Sequence, residues 1–131
     1  MSGSEQEAAP FVLVVDDDRT FRTVLARSLR SRGYDVEVAR SYDEAINRVM
    51  LNPPRVALVD LHMPERSGFE LIDAIKRIHP TTVFIMLTAD HSPESMAAAA
   101  ARNVFRYLTK PTDADEVIAA LNAARELILT I

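Results

Sequence analysis

Cysteine and tryptophan are both absent from the 131 residues. The first absence excludes a disulfide-stapled secreted module, a thiolate zinc site and a cysteine nucleophile. No apolar run reaches the ~18 residues of a membrane span, and residues 1–10 (MSGSEQEAAP) lack the cationic start and apolar centre of a signal peptide. Charge of one sign is also scarce: 15 Lys+Arg stand against 19 Asp+Glu, a net charge of −4, with no run of five like charges. A mildly acidic chain without a basic tract has no sequence-independent grip on nucleic acid or on an anionic membrane. Proteins are therefore the expected partners and the cytoplasm the expected compartment. Internal repeats and interdomain linkers are missing too.

What is present is an apolar content of 48%, enough for one domain of this length to bury roughly two thirds of its unfolded surface. Residues 1–10 read as a disordered tail and residues 11–131 as the domain. From Phe11 onward, short runs rich in Val, Ile, Leu and Phe alternate with longer stretches of helical period, the pattern of a parallel sheet flanked by helices. The expected strands are Phe11 to Asp16, Tyr34 to Ala39, Arg55 to Asp60, Thr82 to Thr88 and Val104 to Leu108. Each precedes a helix. The first helix carries Phe21, Val24, Leu25 and Leu29 on one stripe and stops at Gly33. The second and third open with the capping boxes Ser41/Glu44 and Ser67/Glu70; Leu71, Ile75 and Ile78 line the third. The fourth opens with Ser92 before Pro93, and the fifth has Thr112 before Val117, Leu121, Ala124 and Ile128. Strands covered on both faces are continuously apolar, whereas edge strands carry charge. FVLVV, VALV and VFIML are thus interior, Asp35 and Glu37 mark one edge and Arg106 the other, which gives an α/β doubly wound sheet of order 2-1-3-4-5 with right-handed crossovers.

Ligands of such sheets bind beyond the carboxyl ends of the strands where the winding reverses, here between strands 1 and 3. Strand 1 ends in Asp16-Asp17-Asp18, strand 3 in Asp60 and strand 4 in Thr88, and strand 5 runs into Lys110. Two carboxylates about 6 Å apart repel by roughly 3 kcal/mol at an effective dielectric near 20, so such a cluster takes a cation or protonates. Hard oxygen donors select Mg²⁺, which typically binds one or two carboxylates plus a phosphoryl oxygen. With Lys110 to neutralise a second phosphoryl oxygen and Thr88 to donate a hydrogen bond to one, the residues suit phosphoryl transfer.

The motifs LVVDDD, LVDLHMPERSG around Asp60, LTA at 87–89 and YLTKP at 107–111, in this order and spacing, resemble the receiver domain of two-component response regulators. The resemblance covers residues 11 to about 129 and implies a flavodoxin-like (βα)5 sandwich. By it, Asp60 is the phosphoacceptor, Asp17 the chief metal carboxylate, Asp16 a ligand through water, and His62 a ligand through its backbone carbonyl. Thr88 and Lys110 contact the phosphoryl group, Tyr107 is the aromatic switch residue, and Lys110-Pro111 is a peptide commonly cis in the family. His62 and Asp90 occupy positions that tune phosphoryl lifetime, and Asn103-Val104 stands where Gly-Ala is usual. The implied function is a phosphorelay switch, not an enzyme, that assists its own phosphorylation and autodephosphorylation. It would receive the phosphoryl group from a sensor histidine kinase or histidine phosphotransfer protein. It would then signal through the face of the fourth helix, fifth strand and fifth helix to an effector protein or a fused output domain. The apolar end Leu127 to Ile131 suits a helix that continues or forms a homodimer.

A rival resemblance exists. Asp16-x-Asp18-x-Thr20 fits the nucleophile motif of haloacid-dehalogenase phosphatases, but that reading leaves Asp60 without a role and the chain has no cap domain. Asp18 is more simply a helix cap, Tyr107 alone fits plain edge-strand packing, and His62, His79 and His91 read as solvated loop residues.

Overall fold

The computed structural model describes residues 11–130, so the expected tail at 1–10 lies outside the described residues. The chain alternates strand and helix five times: β1 (Phe11–Val15), α1 (Arg19–Ser31), β2 (Asp35–Ala39), α2 (Tyr42–Leu51), β3 (Val56–Val59), α3 (Gly68–Ile78), β4 (Val83–Thr88), α4 (Pro93–Ala101), β5 (Arg106–Thr109) and α5 (Ala114–Thr130). All strand pairs are parallel, in the order β2-β1-β3-β4-β5. This is the doubly wound order expected from the apolar runs.

Strand side chains alternate between two cores. Val12, Val14, Val56, Leu58, Ile85 and Leu87 meet α1 and α5 on one face. On the other, Leu13, Val15, Ala57, Val59, Phe84 and Met86 meet α2, α3 and α4. Helix α4 contributes only Ala99 as a buried residue.

Most helix boundaries follow local chemistry. Asp18, Ser41, Ser67 and Ser92 each accept a backbone N–H from three residues on. Ser67 and Glu70 form the full capping box. Around Ser41 the reciprocal bond is displaced by one residue, for the Glu44 carboxylate accepts the N–H of Arg40. At α5 the expectation needs correction: Asp113, not Thr112, accepts the N–H of Glu116 at 2.9 Å, while the Thr112 hydroxyl donates to the Glu116 carboxylate. Val24 of α1 and Ile78 of α3 are also more exposed than expected, 55% and 38%. An apolar stripe covers about a third of a helix, so a residue at its margin can miss the core.

Helices α1 and α4 end alike. Gly33 at φ 93° lets Tyr34 N–H reach Leu29 O and Gly33 N–H reach Arg30 O. Asn103 at φ 61° does the same for Val104 and Ala99 and for Asn103 and Ala100. Asparagine tolerates the left-handed region better than most residues, which explains how it serves where glycine is usual. This turn consumes Val104, so β5 begins at Arg106, two residues later than expected. His79 is no plain solvated histidine: Thr82 Oγ1 donates to Pro54 O at 2.8 Å, so His79 Nδ1–H donates to Thr82 Oγ1 at 2.9 Å.

Candidate functional site

The sheet ladder runs one residue past three of its strands, and those are the residues with polar side chains at the carboxyl edge. Asp16 N–H donates to Ala39 O at 3.1 Å, Asp60 N–H to Val15 O at 3.0 Å and Lys110 N–H to Thr88 O at 2.8 Å. Their backbones are thus as fixed as the strands themselves. Asp16 and Asp60 are 2% and 8% exposed.

Lys110 Nζ lies between them, 2.7 Å from Asp16 Oδ2 and 3.2 Å from Asp60 Oδ2. Asp17, exposed at the mouth, completes a cluster: Asp16, Asp17 and Asp60 each offer a carboxylate oxygen within 4.8 Å of the others. Burial pushes the Asp16 carboxyl up from its ordinary value despite the bonds it accepts from Lys110 and Asp18. For Lys110, burial opposes the charge, but the bond to Asp16 and the two nearby carboxylates outweigh it and raise the pKa. Burial thus outweighs the single ammonium at Asp16, and a further cation near that carboxylate would favour its charged form. An all-oxygen donor set fits a hard divalent ion.

The loops hold the cluster in place. Asp16 Oδ1 accepts Asp18 N–H at 2.9 Å, and Asp16 O accepts Arg22 Nη1–H at 2.8 Å. Asp18 caps α1 through Phe21 N–H, as expected, which occupies it structurally and weakens the dehalogenase-type reading. Under Asp60, Gly68 N–H donates to Leu61 O at 2.7 Å, and a Cβ on Gly68 would stand 2.4 Å from Asp60 O. Only glycine permits α3 to start this close to the Asp60 backbone.

Asp90 ties the rim together. Its N–H donates to Thr88 Oγ1 at 3.3 Å and its carbonyl accepts the Tyr107 hydroxyl. Its carboxylate accepts Ser92 N–H and Ser95 Oγ–H, each at 2.9 Å, and meets His62 Nε2 at 2.7 Å. The Ser92 N–H first, then the His62 ring and the serine hydroxyls, hold the Asp90 carboxyl well below the usual carboxylate range. Burial raises the Tyr107 phenol, and the charges of Asp90 and Asp60 add to the effect, so Tyr107 stays a donor. His62 stays a solvated loop residue, its side chain 69% exposed, although its ring meets Asp90 and its N–H donates to Asp60 Oδ1 at 3.3 Å. Thr88 is 1% exposed.

A family model described as the response regulator receiver domain matches residues 12–122. The chain belongs to this family. As a receiver it is 38% identical over 110 residues to the acid tolerance regulatory protein ActR of Rhizobium meliloti (strain 1021), covering 84% of this chain and 57% of that protein. The chain thus spans less than two thirds of that relative's length. Among solved structures it is similar to the chemotaxis protein CheY4 of Vibrio cholerae, with a TM-score of 0.84 and 29% identity over 89% of this chain and 99% of that one. NtrX from Brucella abortus aligns with a TM-score of 0.85 and 28% identity, covering 91% of this chain but 27% of NtrX. No described helix of the receiver is long and apolar enough to cross a membrane.

Reading the sequence placed Asp16, Asp17, Asp60, Thr88 and Lys110 at one sheet edge, and the structure brings them there. It missed Arg22, Gly68 and Phe21 as parts of the site. Gly68 did leave a signal: it is one of three glycines in the chain and stands at a helix start, where glycine is not needed for the helix itself.

Proposed function

We propose that this receiver is a phosphorylation-dependent switch whose phosphoacceptor is Asp60, supplied by a sensor histidine kinase or a histidine phosphotransfer protein. The observation that carries the reading is the Lys110 ammonium held between Asp16 and Asp60, with Asp17 in the same acidic cluster. A carboxylate oxygen of Asp60 attacks the phosphorus of the donor's phosphohistidine. A P–O bond forms, the P–N bond breaks, and its electron pair returns to the imidazole nitrogen. Lys110 supplies positive charge to the phosphoryl oxygens as they arrive. Asp16, Asp17, Asp60 and the backbone carbonyl of His62 would hold Mg²⁺, which when bound supplies charge neutralisation and orientation of those oxygens. Hydrolysis of the acyl phosphate later returns the Asp60 carboxylate.

The switch reading rests on Asp90. Thr88 accepts its N–H and Tyr107 donates to its carbonyl, so Thr88 and Tyr107 grip one residue from opposite ends. A phosphoryl oxygen draws the Thr88 hydroxyl away, the β4–α4 loop loses an acceptor, and Tyr107 follows the loop. The face of α4, β5 and α5 then changes, to be read by an effector protein, a fused output domain or a second copy of this chain.

Intact mass spectrometry tests the acceptor. With acetyl phosphate and Mg²⁺ the protein gains one phosphoryl group that hydroxylamine removes, and Asp60→Asn gains none. An unmodified wild type overturns the reading; a modified Asp60→Asn moves the acceptor to Asp16 or Asp18 and favours the phosphatase-type chemistry.

A further inference from the structure

Phe21 stands in the first turn of α1, and Lys110 Nζ lies over its ring, 4.2 Å from the centroid. That distance is well inside the ~6 Å reach of a cation–π contact. The backbone that carries the ring is tied, through Asp18, to Asp16, one of the two acids that hold the ammonium. Asp16 Oδ1 accepts Asp18 N–H, Asp18 Oδ1 accepts Phe21 N–H at 3.1 Å, and Lys110 returns to Asp16 Oδ2. The result is a closed circuit of Asp16, Asp18, Phe21 and Lys110. The Phe21 side chain, partly buried, also packs against the core of α1 and α5, where it lines a small cavity with Leu25, Ala114 and Val117.

We infer that Phe21 is the positioning residue for Lys110, its ring face holding the ammonium at the phosphoryl-transfer site and excluding water from the side that the carboxylates leave open. The inference rests on the reading of Asp60 as phosphoacceptor. A lysine is a compact point charge on a flexible stem, so two carboxylates alone fix it poorly. They also fix it only for one state. When Asp60 becomes an acyl phosphate, its oxygen loses charge and the ammonium must turn toward the phosphoryl group. A carboxylate offers a point of attachment, whereas a ring offers a surface across which a cation can shift without returning to water. Phe21 thus keeps Lys110 desolvated and therefore effective in both states.

Two variants and two readouts test this. Phe21→Leu keeps an apolar side chain of similar size without a π face, and Phe21→Tyr keeps the face. In metal-free, unphosphorylated protein, the Lys110 Hε resonances lie upfield by ring current in wild type and Phe21→Tyr, and that shift disappears in Phe21→Leu. The initial rate of phosphorylation by acetyl phosphate with Mg²⁺ falls roughly two- to thirtyfold in Phe21→Leu, the span of a cation–π contact, and Phe21→Tyr stays within about twofold of wild type. A Phe21→Leu protein as fast as wild type overturns the inference. Equal slowing in both variants also overturns it, because that outcome belongs to core packing. A wild type that takes no phosphoryl group instead overturns the reading of Asp60, and the Lys110 resonances still decide whether the ring holds the ammonium.

Discussion

At the scale of single residues, the site is a set of charges that the fold brings together against their repulsion. Asp16 is the most buried acid of the cluster and bears the desolvation; Asp17 is its exposed member. Removing the Asp17 charge therefore takes away a ligand and relieves repulsion at once. Asp17→Asn is expected to weaken Mg²⁺ binding by about tenfold or more, equivalent to about 1.4 kcal/mol, without lowering the melting temperature of the metal-free protein. Thermal melts with increasing Mg²⁺ check both parts: the rise in melting temperature with Mg²⁺ seen for wild type shrinks in the variant. An unchanged Mg²⁺ response places the ion elsewhere. Gly68 acts at the same scale without any charge, since its missing Cβ is what allows α3 to start beneath Asp60.

Elements show where sequence patterns are informative and where they stop. The order of the sheet was legible because burial on both faces leaves an unbroken apolar strand, and because strand ends are where polar side chains become useful. Asp60, Thr88 and Lys110 follow from that rule with no contact known. Helix faces were less legible: Val24 and Ile78 continue an apolar stripe yet lie at its solvent margin. The cap of α5 was misread because Thr112 and Asp113 are adjacent and both can accept a backbone N–H; only the geometry selects Asp113. Phe21 over Lys110 was not legible, since two residues far apart in sequence share no period. The same holds for Asp90, whose partners come from three segments. Asp90 bonds both Thr88 at the end of β4 and Tyr107 of β5, and in the proposed switch Thr88 is the input. A charge-assisted hydrogen bond of about 1.5 to 3 kcal/mol from the Thr88 hydroxyl to a phosphoryl oxygen shifts a balanced equilibrium by roughly ten- to a hundredfold. Thr88→Ala is expected to accept phosphate but not to pass the change on. Amide NMR shifts with and without beryllofluoride check this: changes in α4 and β5 seen for wild type are reduced in the variant, and equal changes would mean that another route carries the signal.

Across the whole molecule, the two cores are closed by different means. On the face of α1 and α5, the buried Tyr34 hydroxyl donates to Asn122 Oδ1, and Arg32 pairs with Asp115 at 2.9 Å. Burial raises the Tyr34 phenol above its ordinary value even though the nearby Arg125 charge opposes the shift. A phenol raised on folding contributes stability that is complete below the unfolded pKa of about 10 and is lost as pH rises through the folded value. The urea midpoint of wild type therefore falls above about pH 10. Tyr34→Phe is less stable at neutral pH by about 0.5 to 1.5 kcal/mol for the lost hydrogen bond, and its alkaline fall is shallower. The fall does not vanish, because Tyr107 and Lys110 are raised as well. Urea titrations at pH 7 and pH 11 separate the two effects. On the opposite face, α3 buries a broad apolar stripe and α2 buries Ala45 and Val49, but α4 gives the core Ala99 alone. Its ends are held instead by polar ties, Ser92 and Ser95 to Asp90 at one and Arg102 to Asp73 at 3.1 Å at the other. Hydrogen exchange read by mass spectrometry checks whether this division sets local stability. The amides of α4 are expected to open to deuterium in a partial unfolding that leaves the other four helices closed, before the sheet exchanges, and in the proposed switch this least anchored helix is the easiest to lift.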